Sequence, residues 1–370
     1  MVYFLLFSVT SIIFYIAQRC IAKSKIAFYS LSIFAILVLS TIAGLRANNI
    51  GTDIGIYGTE TYDNSKESDS LADGVRLHCN HVEAAFFAIN YFASHTVGSY
   101  EFAKFLIALL PISLFFCGAK RYMKDVELWM LMLTFDLYFY NLSLNLMRQA
   151  IAMAFIFWSL QFLEKRSIGK LLICSVICFF IHKTSSIAYF AILYIYWATG
   201  KDDKGQNKLL TLFACACAVG VAVFPIMLRT AAEHIALLKG YLAYIDCFTT
   251  RINRSDVAMR IFFIILVWFA TRRGETARKV MRMALFFLLF DCAAQFLGVY
   301  TYYATRIGLY FFICGIPLLL KAINTSEFSK RQKTVFSYSA IATLVAYHFF
   351  CYAIGNNNET YPYSSDILGI

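Results

Sequence analysis

Charge is scarce in this chain. Only 15% of its 370 residues are Asp, Glu, Lys or Arg, where a water-soluble domain carries about a quarter. That scarcity excludes an ordinary soluble fold, because 60% of the residues are hydrophobic and lack a polar shell to cover them. A lipid bilayer is the solvent that accepts such an excess. No continuous basic face occurs either, so the formal net charge of +11 is not a nucleic-acid footprint. The basic residues stand singly or in small groups between apolar runs, a distribution that orients membrane helices and meets anionic headgroups. There is no CxxC motif and no paired Cys/His cluster, so no metal site and no cofactor is suggested. Cys174, Cys178, Cys215, Cys217, Cys292 and Cys314 lie inside apolar runs and read as small packing residues. Nor does the start offer a signal peptide. Met1-Val2-Tyr3-Phe4 has no basic opening and no small-residue cleavage site follows, so residues 2–19 read as a retained span.

What is present is a series of apolar stretches. A helical span needs about 20 such residues. They fall near 2–19, 26–45, 102–119, 128–143, 149–163, 168–182, 184–199, 208–228, 257–271, 280–299, 306–322 and 335–354. The expectation is an all-α polytopic integral membrane protein with about twelve transmembrane helices, residues 1–370 forming one transmembrane domain.

One set of short loops holds the basic residues: Arg19, Lys23 and Lys25; Lys120, Arg121 and Lys124; Lys165, Arg166 and Lys170; Lys201, Lys204 and Lys208; Arg272, Arg273, Arg278 and Lys279; Lys330, Arg331 and Lys333. The positive-inside rule makes these cytoplasmic. Two larger loops then face outward, 46–100 and 229–256. The first is rich in acids and contains a short segment, 83–95, that reads as an interfacial or re-entrant helix.

On that topology several polar residues share the outer face. Arg46 and Asp53 follow the second span, Glu83 opens the short helix, and Arg148 and Gln149 open the fifth span. His182, Lys183 and Ser185 lie in the turn after the sixth, and Arg306 opens the eleventh. Helix N-termini carry partial positive charge and unpaired N–H groups, and arginine adds a fork that grips phosphate oxygens. Several such ends around one cavity would hold a diphosphate. Each residue also has a plainer role: Arg148 and Arg306 as snorkelling cations, His182 bonded to a carbonyl, Asp53 as a loop acid, Glu83 as a helix cap. Asp136 and Asp291 lie inside spans, where an acid pairs with a structural partner or serves a pathway.

The order of these motifs resembles that of the EpsG-type, Wzy-like polymerases of bacterial exopolysaccharide, capsule and O-antigen synthesis. The matching segments are RANNIGTDIGIY at 46–57, Glu83 before a Phe-rich stretch, NLMRQAIA at 145–152, IHKTSSIAYF at 181–190, TRIGLYF at 305–311 and YPYSS at 361–365. Lys183 directly after the histidine departs from the pattern. The resemblance implies a membrane glycosyltransferase related to the GT-C fold, in the bacterial cytoplasmic membrane with its active site outward. Its substrates would be undecaprenyl-diphosphate-linked oligosaccharides, with membrane lipid, chain-length regulators and flippases as partners and no nucleotide sugar or metal. Arg46, Arg148, Lys183 and Arg306 are then the diphosphate ligands, and Tyr57, Gln149 and Ser185 contact substrate. The base comes from Asp53, Glu83 or His182; an acid is favoured, with His182 orienting phosphate or hydroxyl.

Two rivals remain. An O-antigen-ligase-like transferase shares the donor but carries its dominant outer loop late in the chain, whereas here the larger loop is early. A flippase or transporter predicts pseudo-symmetric halves and midplane charges. No such halves are visible, although Asp291 keeps that reading open.

Overall fold

A computed structural model describes residues 1–79, 82–234, 253–271, 275–300 and 302–370. The described residues are helical almost throughout. The chain divides into two compact units, Met1–Ser186 with Ile341–Ile370, and Ile187–Ala340.

Unit 1 starts with helices α1 (Val2–Cys20) and α2 (Lys25–Gly44). Ser24 caps α2 by accepting from the Ala27 N–H at 3.1 Å, which satisfies one of the donors left open at a helix start. The acidic segment that follows is itself largely helical. A π-helical turn, Ile54–Gly58, leads into α3 (Thr59–Glu67), α4 (Leu71–His78) and α5 (Ala84–Thr96). Next come α6 (Tyr100–Ala119) and α7 (Leu128–Thr134), a π-helical stretch Phe135–Tyr140, and α8 (Asn141–Asn145). The last in this run are α9 (Met147–Glu164) and α10 (Ile168–Ile181). Helix α6 is the centre of the unit, packed on α2, α5 and α9. Gly44 is what lets α2 approach it: a Cβ there would stand 2.8 Å from Phe105 Cβ and 3.0 Å from the Glu101 carbonyl oxygen. A later segment completes the unit, a π-helical turn His348–Ile354 and a run of turns to Ile370.

Unit 2 takes up helix α11 (Ser185–Ala198) and continues through α12 (Asp203–His234), α13 (Arg254–Thr271), α14 (Glu275–Phe296) and α15 (Tyr302–Thr325) into α16 (Lys330–Tyr347). Helix α14 packs against α12, α13 and α15. Arg260 on α13 is fully buried between Asp256 and Asp291, at 2.6 and 2.7 Å, and lies over the Phe312 ring at 4.3 Å. Asp291, open as structural or functional in the sequence, is thus half of a buried ion pair. Asp136 in unit 1 is also fully buried and accepts from Thr10 Oγ1 at 3.4 Å.

Helix occupies every one of the twelve apolar stretches, but among the described residues seven helices are long and apolar enough to cross a membrane: Val2–Cys20, Lys25–Gly44, Tyr100–Tyr122, Asp203–His234, Arg278–Val299, Ala304–Thr325 and Lys330–Ile354. The protein is therefore an all-helical polytopic membrane protein. Helices α10 and α11 are apolar but have 14 residues each, about 21 Å of helix against a hydrocarbon core of about 30 Å. Of the segment 229–256 expected as a second outer loop, α12 runs on to His234 and α13 starts at Arg254. The apolar-to-polar change at Arg229 marks no helix end. Residues 235–252, and Arg272 and Arg273 of a basic loop, lie outside the described residues.

Candidate functional site

Glu83 is the residue around which one end of unit 1 is organised. It precedes α5 at the N-cap position, yet its side chain makes no capping bond. The carboxylate reaches away to two other helices instead. Its Oε2 pairs with Arg148 Nη1 at 2.6 Å, and its Oε1 accepts from His182 Nδ1 at 2.8 Å and from the Lys183 backbone N–H at 3.2 Å. Arg148 stands in the first turn of α9, and His182 is the C-cap of α10 in an extended conformation. Three helix ends thus converge on one carboxylate, which is only 7% exposed. Burial alone would raise its pKa. The hydrogen bond from His182 and the charge of the Arg148 guanidinium outweigh that and hold it at about 2.

Since a carboxylate can only accept, the proton of the His182–Glu83 bond sits on Nδ1. Nε2 is then the basic nitrogen, and it has no hydrogen-bond partner among the described residues. The Arg148 guanidinium lies over the Tyr57 ring at 4.5 Å and near the Phe86 ring at 6.0 Å, so the π-helical turn Ile54–Gly58 supplies a cation–π platform. Beside Arg148 an apolar cavity of about 430 Å³ runs between α5, α6 and α9, lined by Phe86, Ile89, Leu114, Ile151 and Phe155.

The remaining expected residues are distributed as follows. Lys183 is exposed and contributes its backbone N–H to Glu83. Asp53 is half-buried, and its backbone N–H donates to Asn145 Oδ1 at 2.8 Å. Arg46 is buried at 2% exposure and donates to the carbonyls of Ala43 and Leu144. It closes the C-terminal end of α2 with carbonyl contacts of the kind cations make there, and burial lowers its pKa. Gln149 and Ser185 are buried at 5% and 0% exposure. Arg306 belongs to unit 2, in the first turn and a half of α15. The structure therefore brings Glu83, Arg148, His182, Lys183 and Tyr57 into one constellation, with Asp53 and Arg46 flanking it.

Two contributors were not singled out in the sequence. Asn145 accepts from both Thr52 Oγ1 (2.9 Å) and Asp53 N. Lys104, buried within α6, donates to the Arg46 carbonyl at 2.6 Å and to Asn48 Oδ1 at 2.9 Å. Asn145 opens the NLMRQAIA motif, and that was its one available signal. Lys104, as a charge inside an apolar run, carried the general signal of an intramembrane ionisable residue. Among the described residues no group of three or more His, Cys, Asp or Glu is arranged to hold a metal ion.

A family model for the EpsG family matches residues 29–365, nearly the whole chain. The chain belongs to the EpsG family. No curated protein and no solved structure matches it. Membership supports a polysaccharide-polymerase-like role in general for this EpsG-family chain, and the matched span includes every residue of the Glu83 constellation.

Proposed function

We propose that the protein is a polysaccharide polymerase joining lipid-diphosphate-linked oligosaccharide units at the outer face of the bacterial cytoplasmic membrane. The observation that carries the reading is the Arg148–Glu83–His182 constellation. It sets a cation for a departing diphosphate beside a nitrogen base for an attacking hydroxyl.

In the transfer, a hydroxyl oxygen of the incoming unit attacks the anomeric carbon of the growing chain. The bond from that carbon to the diphosphate oxygen breaks, and its electron pair leaves with the lipid diphosphate. The hydroxyl proton passes to His182 Nε2. Glu83 orients the imidazole and balances the charge it gains, the role a carboxylate plays behind a histidine base. This assignment differs from the sequence expectation that an acid is the base. A carboxylate held at about 2 by the Arg148 charge and the His182 hydrogen bond is a poor proton acceptor. Arg148 and Lys183 stabilise charge building on the phosphate oxygens, and Tyr57 holds the Arg148 plane. Arg46 and Asp53 are proposed to shape the loop rather than touch phosphate. Arg306 is proposed as a separate phosphate-binding position on unit 2. The apolar cavity beside Arg148 suits the isoprenoid chain of a carrier lipid, because it is lined by hydrocarbon and rimmed by one cation.

A glycan ladder tests this. In a strain lacking the protein, wild type is expected to restore long chains. Arg148→Ala and His182→Ala are expected to leave single lipid-linked units despite normal insertion, each with at least about 10²-fold loss of extension rate. Polymer of normal length from both variants would rule the assignment out. Absence of any outward-facing unit would mark a flippase instead.

A further inference from the structure

The segment 356–370 carries a conformation that needs explaining. Its backbone enters the left-handed region at Asn356 (φ 47°), Asn358 (φ 67°) and Glu359 (φ 53°). None of these is glycine, and such residues persist there only where their surroundings over-determine them. The surroundings here do. The Gly51 N–H donates to the Glu359 carbonyl at 3.0 Å, and the Ala47 N–H donates to the Ser364 carbonyl at 2.9 Å. Ser365 Oγ donates to the Leu45 carbonyl at 2.6 Å, and the Tyr363 hydroxyl to the Ile42 carbonyl at 2.9 Å. Asn141 Nδ2 reaches Thr360 Oγ1 at 3.1 Å. The segment is thus laced along the chain from Ile42 to Gly51.

One side chain joins these contacts to the candidate site. Asn145 Nδ2 donates to Asn358 Oδ1 at 3.2 Å, while its Oδ1 accepts from Thr52 Oγ1 and the Asp53 N–H. A single amide therefore binds three pieces: the late segment, the 52–53 loop, and the end of α8 just before Arg148. Residues 52–53 run directly into the π-helical turn that carries Tyr57 beneath the Arg148 guanidinium. Gly51 (φ 92°) allows the loop to pass against the Leu144 carbonyl, where a Cβ would stand 2.9 Å away.

We infer that segment 356–370 is a strap that fixes the Asp53–Tyr57 turn against Arg148, with Asn145 as its clasp. Both are positioning elements and neither touches the reacting atoms. The inference rests on Arg148 being the diphosphate ligand proposed above. A misplacement of about 1 Å in such a platform is enough to cost a large factor in rate, so the strap acts on turnover more than on stability.

The test uses purified full-length protein and a lipid-diphosphate-linked oligosaccharide, reading kcat and KM of extension alongside the thermal midpoint. Deleting 356–370 risks misfolding, so point variants decide. Asn358→Ala and Asn145→Leu are expected to lower kcat about tenfold or more, with a smaller change in KM. Asn145→Asp keeps the acceptor toward Thr52 and Asp53 and is expected to retain more activity than Asn145→Leu. In the Asn358→Ala background, the pair Ala47→Cys and Ser364→Cys is expected to form a disulfide that returns kcat to within about threefold of wild type, with the gain lost on reduction. Wild-type kcat in both point variants overturns the strap, as does a cross-link that forms without restoring rate. So does a fall in thermal midpoint with turnover of the folded fraction unchanged, which describes a passive brace. If Arg148→Ala also extends glycan normally, the diphosphate reading has failed; if only the strap variants do, the strap alone has.

Discussion

At Glu83 the fold's electrostatics meet the proposed chemistry in a single side chain. Its ordinary pKa of 4.5 falls to about 2 in the folded protein, despite burial, because Arg148 and His182 face it. A depressed carboxylate pKa contributes stability that is complete above the unfolded value and is lost as pH falls through the folded one. The window is therefore pH 4.5 down to about 2, and the contribution is on the order of 3 kcal/mol. In detergent, the wild-type thermal midpoint is expected to drop across that window by more than that of Glu83→Gln, whose amide does not titrate. Parallel curves would show that the pair adds no net stability. The same substitution removes the charge that steadies a protonated His182, so extension is expected to fall about 10²–10⁴-fold with little change in donor KM. Asp291, in unit 2, is held in an ion pair of a different kind. Its fully buried partner Arg260 keeps Asp256 but loses half its compensation if Asp291 becomes Ala. The expected cost is about 3–5 kcal/mol, read as a lower melting temperature of the detergent-solubilised protein. A change below about 1 kcal/mol would show that Asp256 alone suffices.

At the scale of elements, helix ends and close approaches decide where these residues meet. Helices α2 and α6 touch at Gly44, where an added Cβ is 2.8 Å from Phe105 Cβ and 3.0 Å from a backbone oxygen. Gly44→Val is expected to push α2 outward at a cost of about 1–3 kcal/mol. Because Arg46 lies two residues further on and is held by Lys104 of α6, extension is expected to fall as well. Unchanged melting would mean the helices separate freely there. Such contacts explain what could be read from the residues in advance. The helical stretches were legible because apolar runs of this length have one solution in lipid. Their number as spans was less so, because hydropathy marks α10 and α11 as apolar while the 14 residues of each fall short of a full crossing. Glu83, Arg148 and His182 were legible as a set through their motifs. Their proposed division of labour was not, since it depends on which carboxylate Arg148 and His182 share, across 65 and 99 residues of chain. Tyr57 was expected among the substrate contacts, and its place under the Arg148 guanidinium is one that no spacing rule reveals. Asn145 escaped notice for the same reason, its partners being 92 and 213 residues away.

Unit 1 as a whole is polarised. One end gathers Arg19, Lys120, Arg121, Lys124 and Lys165, with Arg19 paired to Glu127 at 3.2 Å and Arg121 to Glu164 at 3.5 Å. The other end holds Glu83, Arg148, His182 and the Asp53 loop, joined by the contacts described above. Helix dipoles and local ion pairs do not create such a division by themselves. By the positive-inside rule, the excess of lysine and arginine in short loops is expected to retain that end on the cytoplasmic side during insertion. The candidate site would then open where lipid-linked glycans are assembled outside. Cysteines placed singly at Lys183 and at Lys124, both exposed, read this directly. A membrane-impermeant maleimide added to intact cells is expected to label Lys183→Cys above the background of the unsubstituted chain. Lys124→Cys is expected to react only after the membrane is opened. The inverted pattern would turn the Glu83 constellation toward the cytosol, where no outward-facing donor could reach it, and an outer-face polymerase could not stand.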